Sequence, residues 1–215
     1  MYLMQPESGL EKPRSLNLYA YVRNNPYSFV DPNGLDVAFL FEDDAAKGFG
    51  HIELLLQDEG GTWHLFSQAR NASDPNYSAV DMLMGEEQPA DARLYPMQTT
   101  GEDGEIRDMT LDESVKALKK LDSNPRKIDG VVRVKTTKGQ DKKIFEAAKK
   151  SVEDHNTGQK KYDLYRHNCV HACQEVVEKG GVDTPHPYSP EPDDWFEELG
   201  QQAGVTEGME TVEIK

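Results

Sequence analysis

The side chains most suited to chemistry lie in residues 162–174, which contain both cysteines of the chain, Cys169 and Cys173. Asn168 is a good N-cap residue, and the residues after it predict a helix over 170–179. A thiol at a helix N-terminus faces the positive end of the helix dipole, which favours the thiolate. Because a thiolate attacks carbonyl carbon, Cys169 is a candidate nucleophile, and the chain must supply a base from elsewhere.

Two histidines upstream of Cys169 lie on a predicted β-hairpin, with His51 at the start of the first strand and His64 in the second. We predict that the first strand lies against the N-terminus of the cysteine helix, so that His51 acts as general base. A third polar group must orient the imidazole. His64 is the first candidate, Ser67 the second and Gln57 the third, because strand register decides which of them faces His51.

A metal site is a competing hypothesis for the cysteine segment. His167, Cys169, His171 and Cys173 alternate at a density of soft ligands that can bind zinc. On a helix, however, the members of each pair fall on different faces, and no second Cys/His pair lies at zinc-finger spacing. The sequence therefore predicts no metal and no cofactor. We expect His171 and Cys173 to be structural, and three other histidines to be surface or loop residues: His155, His167 and His186.

Composition excludes several classes of function. The net charge is −15, and no cluster of Lys and Arg stands apart from acidic residues, which argues against nucleic-acid binding. A basic protein partner, such as a cognate inhibitor, is compatible with this charge. No apolar stretch approaches the roughly 18 residues that span a membrane, and no classical secretory signal opens the chain. Two cysteines four residues apart on one helix form a poor disulfide, which indicates synthesis in a reducing compartment.

Local patterns predict alternating strands and helices after residue 35. Strands are expected at 36–41, 51–57, 62–67, 93–97, 130–136 and 211–214, and helices at 111–121, 141–154, 170–179 and 193–199. Thr110 to Glu113 fits a capping box. The loop-rich segment 69–109 predicts a lid or binding surface.

The first 35 residues have a different character. Residues 17–35 match every fixed position of N-L-Y-x-Y-x-x-N-x-P-x-x-x-x-D-P-x-G-L, and they resemble the closing segment of the Rhs-repeat-associated core. The resemblance implies that residues 1–35 are the end of a β-strand cage and that the chain is cut after Leu35. It implies that residues 36–215 are a toxin, made in the bacterial cytoplasm and delivered into a rival cell, as type VI secretion effectors are. The implied partners are the cage, the secretion machinery and an immunity protein.

The order of histidine, histidine and then cysteine resembles the permuted papain-like families of NlpC type, and especially the lecithin:retinol-acyltransferase-like group. The matching positions are His51, His64 and Cys169, with Asn168 and His171 completing an N-C-x-H pattern. The resemblance spans residues 48–180, although the segment 69–109 has no counterpart and the hydrophobic anchor of the acyltransferases is absent. It implies an α+β domain in which a small antiparallel sheet packs against the cysteine helix.

These observations predict a toxin-type cysteine hydrolase with catalytic residues Cys169, His51 and His64, acting through a thioester. Amide bonds of peptidoglycan or protein are the first predicted substrate, and phospholipid acyl esters are the alternative. A non-catalytic binding module is a third hypothesis. An apolar groove at the site would favour lipid, a polar open cleft would favour amide, and absence of a contact between Cys169 and His51 would favour the binding module.

Overall fold

The computed structural model describes residues 36–43, 45, 50–120, 127–186, 191–203 and 209–211. Four predicted features lie outside these residues: the core-like segment 17–35, the helix end at 124–125, the turn at 187–190 and the tail at 212–215.

The described chain is α+β, as predicted, and its centre is an antiparallel sheet. The sheet has six strands in the order β4-β3-β2-β1-β7-β8, and every neighbouring pair is antiparallel. The strands of this sheet are β1 (Asp36–Glu42), β2 (His51–Gln57), β3 (Trp63–Arg70), β4 (Ala90–Pro96), β7 (Gly130–Lys135) and β8 (Met209–Thr211). A separate small hairpin consists of β5 (Gln98–Thr100) and β6 (Ile106–Asp108).

Helices cover both faces of this sheet. They are α1 (Ala79–Leu83), α2 (Leu111–Lys119), α3 (Lys138–Asn156), α4 (Cys169–Glu178) and α5 (Pro192–Ala203). The predicted helices at 111–121, 141–154, 170–179 and 193–199 are confirmed with ends shifted by a few residues. The segment 69–109 is more regular than expected, because its short predicted strand is a full strand of the main sheet, β4, paired with β3.

Strand β1 is buried along its whole length because it is a central strand covered on both faces. On one face, Phe39 packs edge-on against Trp195 of α5 with ring centroids 5.5 Å apart, within a core shared with α3 and α4. On the other face, Leu40 joins a second core with Val115 and Leu118 of α2. Each large apolar side chain that is fully buried contributes roughly 1.5–3 kcal/mol to the stability of the folded state. The apolar side chains of the cysteine helix are buried in the first core, which therefore holds this helix on the sheet.

The sheet opens between β2 and β3. Their pairing joins Leu54–Gln57 to Trp63–Phe66. Before Leu54, β2 pairs with β1 alone, and after Phe66, β3 pairs with β4 alone. The N-terminus of α4 packs against this opening. The separation of the two strands therefore makes room for a site at the start of β2.

Candidate active site

Asn168 caps helix α4, as the sequence predicts. Its side-chain oxygen accepts hydrogen bonds from the backbone N–H of Val170 at 3.0 Å and of His171 at 3.4 Å. Its amide nitrogen donates to the Leu164 carbonyl at 3.0 Å, which fixes the loop before the helix. Cys169 is therefore the first residue of α4 and lies at the positive end of the helix dipole, 5% exposed.

His51 reaches the sulfur of Cys169 from the first position of β2. Gly50 precedes it with φ of +74°, a conformation that favours glycine, and a Cβ there would lie 3.1 Å from the Phe41 ring. The imidazole is largely buried, with 17% of the side chain exposed. Burial lowers the pKa of His51, but the charge and hydrogen bond of Cys169, together with Glu53, raise it to about 10.

The thiol of Cys169 responds in the opposite direction. Burial raises its pKa, but the charge and hydrogen bond of His51 outweigh burial and lower the pKa below its usual value of 9.0. The backbone N–H groups of Ile52 and Val170 also donate to the sulfur and lower this pKa further. Both shifts favour the thiolate–imidazolium form of the pair, the state in which a cysteine is nucleophilic.

Two residues contact the His51 Nε2. Glu53 Oε1 and Ser67 Oγ each lie 3.5 Å from this nitrogen, and Glu53 is 4% exposed. Ser67 was the second predicted candidate for this position. Glu53 was not predicted, although a signal was available, because residues two apart on a strand share one face.

His64 does not approach His51, which corrects the prediction that it orients the base. It lies opposite Leu56, near the far end of β2, and its Nε2 is 3.1 Å from Asp58 Oδ2. Its ring packs edge-on against Phe145 at 4.8 Å. Gln57, the third predicted candidate, also lies at that end and binds the backbone of the β2–β3 turn.

Both cysteines bind the backbone of Ile52 in the opening between β2 and β3. The N–H and C=O of one strand residue point towards the same neighbouring strand. At Ile52, the sulfur of Cys169 accepts from the N–H, and the thiol of Cys173 donates to the C=O at 3.6 Å. Burial raises the pKa of Cys173 well above its usual value, so it is an unreactive thiol. The two cysteine side chains thus make the hydrogen bonds to the Ile52 backbone that β3 does not make at this position.

The remaining histidines have separate partners. Contrary to the surface placement predicted for it, His155 is buried, and its Nδ1 lies 2.6 Å from the Ser151 carbonyl. Its Nε2 lies 3.1 Å from the Nε2 of His167, and the two rings are stacked. His171 Nδ1 lies 2.9 Å from the Asn168 side-chain oxygen. The four residues of the alternative zinc hypothesis therefore have separate partners rather than one centre.

A cavity of about 380 Å³ opens beside the pair. This volume falls within the roughly 300–1,000 Å³ range of small-molecule sites. His51 and Cys169 line it, and most of its other walls are apolar or aromatic side chains: Tyr77, Met82, Leu83, Leu164, Tyr165 and Pro192. Gln68, Arg70 and Glu191 are the polar exceptions in its wall, beside Asn168.

Exposed apolar side chains lie around the mouth of this cavity. Leu83 of α1 is 52% exposed and Tyr165 is 49% exposed, and both also line the cavity. Val80 and Met84, on and just after α1, are more exposed still. The hydroxyl of Tyr165 donates to the Leu83 carbonyl at 3.2 Å, which ties α1 to the cysteine loop. An exposed apolar patch beside a cavity is typical of sites for apolar ligands or surfaces.

A cluster of carboxylates is another place where a ligand could bind. Within the described ranges, three carboxylates lie close enough together to share a cation, Glu191, Asp193 and Asp194, and all three are exposed.

Among the helices described, none has both the length and the apolar character needed to cross a bilayer. No protein-family model, curated protein or solved structure matches the chain. The geometry at Cys169 is therefore the basis on which a function is assigned.

Proposed function

We propose that this protein is a cysteine hydrolase that uses Cys169 as nucleophile and His51 as general acid and base. The observation that carries the proposal is the hydrogen bond between Cys169 and His51, two residues that line a ligand-sized cavity. Burying two charges costs free energy that burying packed apolar groups would not cost. Such a pair at a helix N-terminus therefore adds little to the stability of the fold. Perturbed pKa values in a cavity favour a catalytic role.

The chemistry follows from the positions of the two groups. The Cys169 sulfur attacks the acyl carbon, a C–S bond forms, and the carbonyl oxygen carries the negative charge. When the tetrahedral intermediate collapses, the bond to the leaving oxygen or nitrogen breaks, and His51 donates its proton to that atom. His51 then accepts a proton from water, the resulting hydroxide attacks the thioester, and the carboxylic acid leaves as the thiolate is restored. The backbone N–H of Cys169 is a candidate donor to the oxyanion.

We further propose that the domain is a permuted papain-like fold. This assignment is supported by the chain order of base before nucleophile, by the cysteine at the start of a buried helix, and by the antiparallel sheet that carries His51. In the proposed site, Glu53 and Ser67 take the orienting role that was predicted for His64.

A lipid acyl ester is the substrate that the cavity favours. Its largely apolar walls accommodate a hydrocarbon chain, and the exposed apolar residues of α1 would lie against a lipid surface. The amide hydrolase predicted from the sequence remains the second candidate, because Gln68 and Arg70 give the cavity a polar region that suits a peptide-like substrate. Absence of a contact between Cys169 and His51 would have favoured the binding-module hypothesis, and this contact is present.

The biological setting remains a proposal based on residues 17–35. We propose that the chain is the C-terminal part of an Rhs-type toxin, carried by a cage and secretion machinery into a competing cell and neutralised in its producer by an immunity protein. The charge of −15 is compatible with a basic inhibitor.

Expression of the full chain in a bacterium tests this function. Growth should stop with wild type and with Cys173→Ala, which removes the unreactive thiol, but continue with Cys169→Ala and with His51→Ala. Free fatty acids or lysophospholipids appearing with wild type would establish the ester hydrolase, and altered muropeptides would establish the amidase. Toxicity of Cys169→Ala equal to that of wild type would refute the nucleophile.

A further inference from the structure

Gln68 presents a buried polar group that the protein itself leaves without a partner. The residue is completely buried on β3, yet neither its amide nitrogen nor its amide oxygen has a hydrogen-bond partner among the described residues. Nearly all buried polar side chains are hydrogen-bonded, because an unpaired amide loses its hydration without compensation. Gln68 lines the cavity that contains Cys169. We therefore expect a ligand in the cavity to form hydrogen bonds with the Gln68 amide.

Arg70 lies two residues further on the same strand, and strand alternation places it on the same face as Gln68. Its guanidinium lies 6.0 Å from the centre of the Tyr77 ring, and its Nε is buried without a hydrogen-bond partner. In the part of the chain that the structure describes, no carboxylate forms an ion pair with it. The chain has 39 acidic and 24 basic residues, so an arginine without an acidic partner is unexpected.

Tyr162 is influenced electrostatically by both Arg70 and the sulfur of Cys169. Burial and the negative charge of Cys169 raise the pKa of Tyr162, while the positive charge of Arg70 opposes that rise. The phenol is therefore within electrostatic reach of both residues. It lines the same cavity, stays protonated and is able to donate a hydrogen bond. Gln68, Arg70 and Tyr162 thus form a polar pole in the wall of a largely apolar cavity.

We propose that this polar pole binds an anionic group of the acyl substrate, a phosphate or a carboxylate, while the acyl carbon lies at Cys169. Arg70 supplies the positive charge and a planar set of donors that matches such oxygens. The Gln68 amide and the Tyr162 hydroxyl supply neutral hydrogen bonds. Glu191, the acidic residue of the cavity wall, is exposed to solvent. The proposal rests on the proposed function, since it names the substrate class of the same site.

An anion next to a thiolate requires spatial separation of the charges. The sulfur is compensated by His51, and the proposed anion would be compensated by Arg70, so each negative charge has its own cation. The apolar side chains of the cavity wall would contact the hydrocarbon part of the substrate. The structure therefore favours a molecule with one acyl chain and one charged head over a neutral ester.

Hydrolysis by the full-length chain tests the proposal with three related substrates: 1-oleoylglycerol, 1-oleoylglycerol 3-phosphate and N-oleoylglycine. The first is a neutral ester, the second carries a phosphate and the third carries a carboxylate on an amide. We expect the wild type to prefer an anionic substrate in kcat/KM. Arg70→Gln should reduce that preference by about 10- to 100-fold, the usual effect of losing a charge-assisted hydrogen bond. Arg70→Lys should retain part of it, and Arg93→Gln, an exposed arginine on β4, is the matched control.

A binding measurement separates the anion site from catalysis. Inorganic phosphate should slow alkylation of Cys169 by iodoacetamide in wild type but not in Arg70→Gln, and oleoylglycerol phosphate should do so at lower concentration if the head group belongs to a lipid. Protection by phosphate alone would assign the pole to a free anion and overturn its role in the acyl substrate.

Three results bear on the two proposals separately. If no substrate is hydrolysed and Cys169 is never acylated, the proposed hydrolase fails, while phosphate protection lost in Arg70→Gln would still establish the anion site. If neutral and anionic substrates are hydrolysed equally well by wild type, the hydrolase stands and the anionic substrate class is wrong. If Arg70→Gln lowers kcat/KM equally for all three substrates, Arg70 does not recognise an anion.

Discussion

The carboxylate of Glu53 lies 3.5 Å from the Nε2 of His51, two residues further along the same strand. This contact places a carboxylate beside His51, the residue that we propose as the base for Cys169. Ser67 approaches the same nitrogen from the neighbouring strand at 3.5 Å. Glu53 therefore lies on the same strand as His51, whereas Ser67 lies on the neighbouring strand. Separate substitutions can test the two contacts.

Replacing Glu53 with Gln should lower kcat/KM for a soluble activated ester by at least about 10-fold, because loss of an orienting carboxylate is costly in related triads. The physical reason is that Glu53 helps to raise the pKa of His51, so the imidazolium and the Cys169 thiolate both become less stable. Ser67→Ala should have a smaller effect, and the exposed Glu102→Gln should have none. An unchanged rate in Glu53→Gln would remove Glu53 from the site.

The pH dependence of Cys169 alkylation should reveal the ion pair. Because His51 lowers the pKa of Cys169, the alkylation rate should rise with an inflection below pH 9.0. In His51→Ala, burial remains while the opposing charge is lost, so the inflection should move upward. Loss of the His51 proton near pH 10 should give the alkaline limb of kcat/KM. Mass spectrometry should find one alkylated cysteine in the native chain, because Cys169 lines the cavity whereas the raised pKa of Cys173 keeps it a thiol; equal labelling of both would contradict this assignment.

Asn168→Ala should destabilise the domain by about 0.5–2 kcal/mol, the usual cost of losing an N-cap side chain. The lost contacts include those to the N–H groups of Val170 and His171, to the Leu164 carbonyl and to the His171 ring. Urea unfolding measures the difference. Ser78→Ala, which removes the exposed cap of the five-residue helix α1, is the comparison and should cost less. A cost at Asn168 no greater than at Ser78 would show that the cap does not hold the cysteine loop.

Charged substitutions on the cavity rim should separate lipid from soluble substrates. Val80→Glu and Met84→Glu place a carboxylate on exposed apolar positions, so neither should disturb packing. If α1 lies against a lipid surface, both should lower activity on phospholipid vesicles by several-fold and leave hydrolysis of a soluble short-chain ester unchanged. Equal activity of wild type and both variants on vesicles would argue against a lipid interface at α1.

Much of the fold could be predicted because the decisive patterns are local. The strand 51–57 and the Gly-containing turn after it define the β2–β3 hairpin, and Asn168 defines the start of the cysteine helix. The capping box at Thr110 is confirmed for the same reason, since its two hydrogen bonds join residues three apart. In the segment 69–109, the strand at 93–97 was predicted, but its partner β3 lies far away along the chain and no local signal names it.

The sequence by itself determined the two candidate residues for chemistry, one cysteine at a helix start and one histidine at a strand start, each specified by its neighbours along the chain. Only the tertiary structure decided what surrounds them. The register of β2 and β3 places His64 opposite Leu56 and therefore away from His51. Because β2 and β3 are not paired at Ile52, the two cysteine side chains bind the backbone of that residue. The enclosing cavity brings β3, α1 and the cysteine loop together. Such contacts depend on packing between distant segments, which no spacing along the chain encodes.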